Sequence, residues 1–125
     1  GFVGFGAALD YIDSIGLDCM AAREHELLAH TLEAMRKVPG LRIIGEARDR
    51  VPVIAFLVDG VHAHDLATLL DHEGVEVRSG HHCAHPLMQY YGVPATLRAS
   101  LAFYNTHAEI DAFIAAIGRA RKLLA

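Results

Sequence analysis

The sequence has 125 residues, enough for one domain that buries a core without help from disulfides or metals. Its 11 basic and 15 acidic residues give a formal net charge of -4 and are scattered, which argues against a nucleic-acid-binding surface. No uninterrupted apolar run approaches the roughly 20 residues that cross a bilayer, and the opening residues lack a basic leader region, so we expect a soluble, cytoplasmic protein. Its two cysteines, Cys19 and Cys83, are expected to stay reduced.

The first forty residues are predicted to be mainly helical. Apolar positions near helical spacing over residues 5–15 indicate a short helix, with Gly16 as its stop. A longer amphipathic helix is predicted to begin at Asp18, a favourable N-cap residue, and to end at Pro39 and Gly40.

The remainder of the chain predicts a small sheet with further helices. Short runs rich in branched residues indicate strands at residues 41–44, 53–58, 75–78 and 97–103. Helical spacing indicates helices at residues 62–73, at residues 86–91, and around Ile110, Phe113, Ile114 and Ile117. Residues 79–95 contain two glycines and two prolines, so we expect a loop that encloses the short helix. The sequence therefore predicts an α+β fold, a small and largely antiparallel sheet covered by helices, forming one domain over residues 1–125.

Cys83 lies in the predicted loop, within the segment RSGHHCAHP. Arg78 precedes it by five residues, and three histidines lie close to it: His81, His82 and His85. Cationic neighbours favour the thiolate, which is the nucleophilic form of cysteine. A lone cysteine is also often an inert small hydrophobe, so the pattern alone leaves both roles open. Cys19 has no histidine beside it, and we expect it to serve packing.

A zinc site is an alternative, less favoured interpretation of the same segment. If residues 81–85 were extended, His81, Cys83 and His85 would project to one side, and three ligands plus water would suit zinc. Gly80 and Pro86 argue against a regular strand there.

Arg78 and Arg98 flank the cysteine loop from both sides in the sequence. A guanidinium group can hold a carboxylate at two points, although surface ion pairs would explain these arginines equally well. The two lysines, Lys37 and Lys122, stand at ends of amphipathic helices where solvent is expected. Neither resembles a lysine that forms a Schiff base with a cofactor.

A resemblance to a known family is carried by residues 78–112, which read RSGHHCAHPLMQYYGVPATLRASLAFYNTHAEID. This segment resembles the signature near the end of group II, Suf-type cysteine desulfurases and the related selenocysteine lyases, within the class V aminotransferase-like family. GHHCA is followed by PLM, RASL and YNT at the family's intervals, and weaker similarity extends back to the opening GFVGFGAALDYID. The fold that this implies is the carboxy-terminal small domain of fold type I pyridoxal-phosphate enzymes. Sulfur and selenium are not separated by these motifs.

The resemblance implies roles for individual residues. Cys83 falls on the cysteine that takes sulfur from pyridoxal-bound L-cysteine and becomes a persulfide, with L-alanine as the product. Arg98 falls on the arginine that grips the substrate carboxylate, and Arg78 matches an arginine of the same active-site wall. His81 and His82 match paired histidines before the nucleophile, whose individual duties are not implied. In the complete enzyme, which we expect to be a homodimer, the persulfide would pass to an acceptor protein for iron-sulfur cluster assembly.

The large domain that precedes this region in the family, with the Schiff-base lysine and the phosphate contacts, has no counterpart in these residues. We therefore expect that the chain alone neither binds pyridoxal phosphate productively nor turns over L-cysteine, and that it is an isolated domain, a fragment or a truncated gene product. Its hydrophobic content of 53% agrees with an apolar face made for the large domain or a partner subunit. The alternative functions are a stand-alone sulfur-carrier or binding module that uses Cys83, and, less favoured, the small zinc-binding domain.

Overall fold

The computed structural model describes residues 1–124, which form five helices and four strands. The helices are α1 (Phe2–Ile15), α2 (Leu17–Arg36), α3 (Ala63–His72), α4 (His85–Tyr91) and α5 (His107–Leu124). The strands are β1 (Leu41–Ile44), β2 (Val53–Val58), β3 (Arg78–Gly80) and β4 (Thr96–Ser100). They form one sheet in the order β1-β2-β4-β3, in which every neighbouring pair is antiparallel. The predicted α+β class and the antiparallel sheet are confirmed.

Helix α1 stops at Gly16 as predicted, whereas the N-cap of α2 lies two residues earlier than predicted. Gly16 adopts φ 89° and is both the C-cap of α1 and the N-cap of α2. This left-handed conformation suits glycine, so the chain can turn sharply there. The prediction of Asp18 as N-cap is therefore wrong. Asp18 lies in the first turn of α2, where the positive end of the helix dipole favours a carboxylate.

The predicted strand at residues 75–78 is also wrong, except for Arg78. The Val75 amide donates to the carbonyl of Leu70 at 2.9 Å and so completes the end of α3 instead of joining the sheet. Val75 and Val77 lie in this connection and pack against the hydrophobic core. Their alternate spacing in the sequence therefore comes from burial, although these two residues form no strand. The strand itself is Arg78–Gly80, which reaches into the predicted loop.

The last strand is shorter than predicted. β4 ends at Ser100. The Leu101 amide still donates to Pro52 O at 2.9 Å, but Pro52 has no N–H group that could return a bond. The Ala102 amide donates to Asn105 Oδ1 at 2.8 Å, and this bond belongs to the turn that leads to α5.

The core lies between one face of the sheet and helices α2, α3 and α5. Phe56 of β2 is fully buried and meets Phe113 of α5 edge to face, with ring centroids 5.9 Å apart. Leu97 and Ala99 of β4 belong to the same cluster. Because side chains alternate along a strand, Thr96 and Arg98 must point to the opposite face of the sheet.

Two further features of the helices bear on function. The residues of α1 are all at least partly exposed, including Phe2 at 95% and Val3 at 90%. Within residues 1–124, no helix combines the length and apolar character needed to span a lipid bilayer.

Candidate functional site

Cys83 is displayed on a strained turn between β3 and α4. The turn is closed by the Ala84 amide, which donates to His81 O at 2.9 Å. His82 and Cys83 adopt φ of 54° and 58°, the positive φ values of non-glycine residues in the described chain. A left-handed conformation costs an L-residue about 1–2 kcal/mol. Strain of this kind persists only where the surroundings hold it, and it is concentrated at functional sites.

The two cysteines are both free and exposed. Exposure of Cys83 is what a nucleophilic role requires. The expectation that Cys19 packs in the interior is wrong. Met20 takes the buried position of the first turn of α2, and a neighbouring residue is rotated by about 100° around the helix.

Arg78 and Arg98 are direct cross-strand partners. They occupy matched positions in the β3–β4 register, so both side chains lie on the sheet face that points away from the core. Like charges directly opposite each other destabilise a strand pair. No ion pair forms between either arginine and an acidic group of residues 1–124, which argues against the surface ion-pair interpretation. An anion bound between them would relieve the repulsion.

His82 connects the cysteine turn to β4. Its Nε2 lies 3.2 Å from the carbonyl oxygen of Thr96. A carbonyl only accepts hydrogen bonds, so Nε2 carries the proton, and in the neutral ring Nδ1 holds a lone pair. Burial lowers the pKa of His82, the bond to Thr96 opposes that shift, and the charges of Arg98, Arg78 and His81 lower the pKa further.

Three buried polar atoms without a hydrogen-bond partner lie in this one region. Within the described residues they are His82 Nδ1, Thr96 Oγ1 and Arg98 Nε. The other buried polar side chain, Thr31, donates to Leu27 O at 2.7 Å and so follows the usual pattern. Buried polar atoms are normally paired, so this cluster indicates a place for a polar ligand or for water. Sequence reasoning missed Thr96, because a threonine in a strand is an ordinary β-forming residue.

The histidines do not take the arrangement that the zinc interpretation needs. Residues 81–84 form a turn and are not extended, so alternate side chains do not share a side. His81 and His85 are exposed and stack with ring centroids 4.0 Å apart, beside a shallow cleft of about 340 Å³. Across residues 1–124, no group of three or more His, Cys, Asp or Glu side chains is placed to hold a metal ion.

The residues around Cys83 do not by themselves fit pyridoxal phosphate, whose aldehyde requires a lysine amine. Lys37 donates to Glu33 at 2.7 Å, and both Lys37 and Lys122 line a different groove of about 700 Å³ between α2 and α5. The two guanidinium groups of this region suit a carboxylate instead.

Comparison with known proteins identifies the family. Residues 1–113 match the aminotransferase class-V family, and the chain belongs to it. It is 60% identical over 124 residues to a probable cysteine desulfurase of Xylella fastidiosa strain Temecula1, covering 99% of this chain and 30% of that protein. Identity to a cysteine desulfurase of Salmonella agona is 48%, with the same coverage. The chain thus spans about 30% of the length of these curated relatives.

Solved structures of cysteine desulfurases contain the same fold. The chain is similar to the cysteine desulfurase CsdA from Escherichia coli, with a TM-score of 0.92 and 37% identity, covering 100% of this chain and 31% of that one. It is also similar to a cysteine desulfurase from Thermococcus onnurineus NA1, with a TM-score of 0.87 and 35% identity, covering 98% of this chain and 30% of that one. The predicted resemblance to class V cysteine desulfurases is confirmed, as is the fold of a fold type I pyridoxal-phosphate enzyme.

Proposed function

We propose that this chain is the sulfur-accepting small domain of a group II, Suf-type cysteine desulfurase. In the net reaction, L-cysteine and the Cys83 thiol give a Cys83 persulfide and L-alanine. A sulfur-sulfur bond forms to Cys83 while the Cβ–S bond of the substrate breaks, and Cβ keeps the electron pair and takes a proton. The observation that carries the proposal is the exposed Cys83 thiol on a strained turn that directly follows β3, the strand whose partner β4 holds the unpartnered Nε of Arg98.

Arg98 and Arg78 would bind the substrate carboxylate. Their direct opposition in the sheet and the unpartnered Nε of Arg98 support this role, since a carboxylate can accept two parallel hydrogen bonds from a guanidinium. His81 and His82 would support the active site from the turn that carries Cys83.

The remaining parts of the enzyme would come from outside these residues. Pyridoxal phosphate, when bound, supplies the electron sink for the reaction, and its lysine and phosphate contacts would belong to a separate large domain. The greater length of the relatives supports this division. Exposed apolar residues of α1, such as Phe2 and Phe5, would contact that domain or a partner subunit of a homodimer. The chain alone is then inactive toward L-cysteine.

The persulfide would pass to an acceptor protein for iron-sulfur cluster assembly in the cytoplasm. The exposure of Cys83 supports such a transfer, because the thiolate of the acceptor must reach the outer sulfur. The relatives named as cysteine desulfurases favour the enzyme over a stand-alone sulfur carrier.

A chimaera tests the proposal. This chain would replace the matching 124 residues of the Xylella fastidiosa relative, and alanine formation from L-cysteine would be measured with pyridoxal phosphate present. We expect turnover by the chimaera and a loss of at least about 100-fold in Cys83→Ser, because serine cannot form the persulfide. Cys19→Ser is the matched control and should keep the activity. Retained alanine formation in Cys83→Ser, or a folded, cofactor-loaded chimaera that makes no alanine, would contradict the proposal. Comparing the rates of alanine formation from L-cysteine and from L-selenocysteine in the same chimaera determines which of the two substrates it prefers.

A further inference from the structure

We propose that His82 is a positioning residue, which anchors the Cys83 turn to β4 through its Nε2 bond to the carbonyl of Thr96. The inference rests on the proposed function of Cys83, because it assigns to His82 the task of holding that thiol in place.

The geometry of the turn supports an anchor. Gly80 is the last residue of β3 and pairs with Thr96 in the register, so the chain leaves the sheet next to Thr96. His82 then reaches back to the carbonyl of that same residue at 3.2 Å. Within the turn, the bond from the Ala84 amide to His81 O is local and does not tie the turn to the sheet.

The strain of the turn explains why an anchor is needed. His82 and Cys83 are consecutive residues in left-handed conformations, which an unrestrained chain of L-residues would leave. A bond from His82 to a sheet carbonyl restrains the first of these residues directly and the second through the backbone. Cys83 is held with its thiol exposed as a consequence.

The chemistry of the bond predicts which substitutions preserve it. Only the Nε2–H tautomer donates to Thr96 O, and Nδ1 then carries a buried lone pair. The side-chain amide nitrogen of glutamine can take the place of Nε2, so His82→Gln should keep the anchor. In His82→Asn the shorter amide corresponds to Nδ1 and does not reach, and His82→Ala has no donor. Thr96→Val removes the hydroxyl but keeps the carbonyl, so it is the matched control for the acceptor residue.

The test is amide hydrogen exchange of Ala84 in the full chain, measured by NMR. The amide of Asn105 is the internal reference, because it closes another turn by donating to Ala102 O at the same distance of 2.9 Å. We expect His82→Ala and His82→Asn to speed exchange at Ala84 by about tenfold, the effect of losing one net hydrogen bond. His82→Gln and Thr96→Val should stay within about twofold of the unmodified chain, and Asn105 should not change in any variant.

Nitrogen-15 spectra of the His82 ring give a second readout, which a general packing role would not produce. The proposal expects a protonated Nε2 and an unprotonated Nδ1 at neutral pH. It is overturned if Nδ1 carries the proton, if Ala84 exchange is the same in His82→Ala, or if His82→Gln exchanges as fast as His82→Ala. None of these measurements needs turnover of L-cysteine, so failure of the anchor and failure of the desulfurase proposal remain distinguishable.

Discussion

Replacing Arg78 with glutamine should stabilise the chain. Arg78 and Arg98 are opposed across β3 and β4, and neither forms an ion pair with an acidic group in the part of the chain that the structure describes. An opposed like-charge pair on a strand ladder costs about 0.5–1 kcal/mol at low salt. Arg78→Gln removes one charge and keeps a long polar side chain, so the free energy of unfolding should rise by about that amount. For a domain of this size the midpoint of thermal unfolding should rise by about 2–5 °C.

Urea unfolding at two salt concentrations is the assay for Arg78→Gln. The gain should shrink at about 1 M salt, where the screening length is about 3 Å. Arg42→Gln is the matched control, because Arg42 is an exposed strand arginine that pairs with Leu57 and opposes no like charge. Its effect should stay within about 0.5 kcal/mol at both salt concentrations. A destabilised Arg78→Gln, or a gain that salt does not change, would refute the reasoning. Functional sites commonly contain such destabilising arrangements, because activity requires them.

Three further predictions follow from the core and from the site. Burial lowers the pKa of His82 below its ordinary value of 6.5. The neutral ring therefore adds folding stability that is fully present above pH 6.5 and is lost as the pH falls below that value. Urea unfolding from about pH 8 to 5 should show a steeper loss of unfolding free energy in the unmodified chain than in His82→Gln. Phe56→Ala should cost about 3–5 kcal/mol of unfolding free energy, because Phe56 is fully buried against Phe113, whereas Phe2→Ala at an exposed position should change it by less than about 0.5 kcal/mol. In the chimaera, Arg98→Lys should raise the KM for L-cysteine about tenfold, because an ammonium cannot bind a carboxylate as a planar fork, and an unchanged KM would remove Arg98 from the substrate site.

Local sequence signals were sufficient for most of the fold. Branched runs bounded by glycine and proline placed β1 and β2 at the observed residues, and helical spacing found α2 and α5. The strand predicted at residues 75–78 failed because Val75 and Val77 alternate for a different reason, namely burial of a connection against the core. The N-cap of α2 is Gly16 and not Asp18, because the junction of the two helices requires a positive φ, which glycine adopts readily, and uses no side-chain cap.

The site depended on information that a single sequence does not contain. Arg78 and Arg98 could be seen to flank the cysteine loop, but their direct opposition follows from the strand register, which is a non-local property. The sequence does not indicate the left-handed turn at Cys83, because two successive non-glycine residues rarely adopt positive φ. The sequence does not indicate a role for Thr96, because its unpartnered hydroxyl and the hydrogen bond that its carbonyl accepts from His82 are evident only in the three-dimensional structure.

The most direct measurement is the site of sulfur addition during one turnover. The chimaera would be mixed with L-cysteine and pyridoxal phosphate, stopped early, and digested for mass spectrometry under non-reducing conditions. We predict an increase of about 32 Da on the peptide that contains Cys83, removable by a thiol reductant, with one alanine formed for each added sulfur. The peptide that contains Cys19 should stay unmodified, although that thiol is also exposed. Alanine formation without sulfur on Cys83, or equal addition at both cysteines, would contradict the role of Cys83 as the sulfur acceptor.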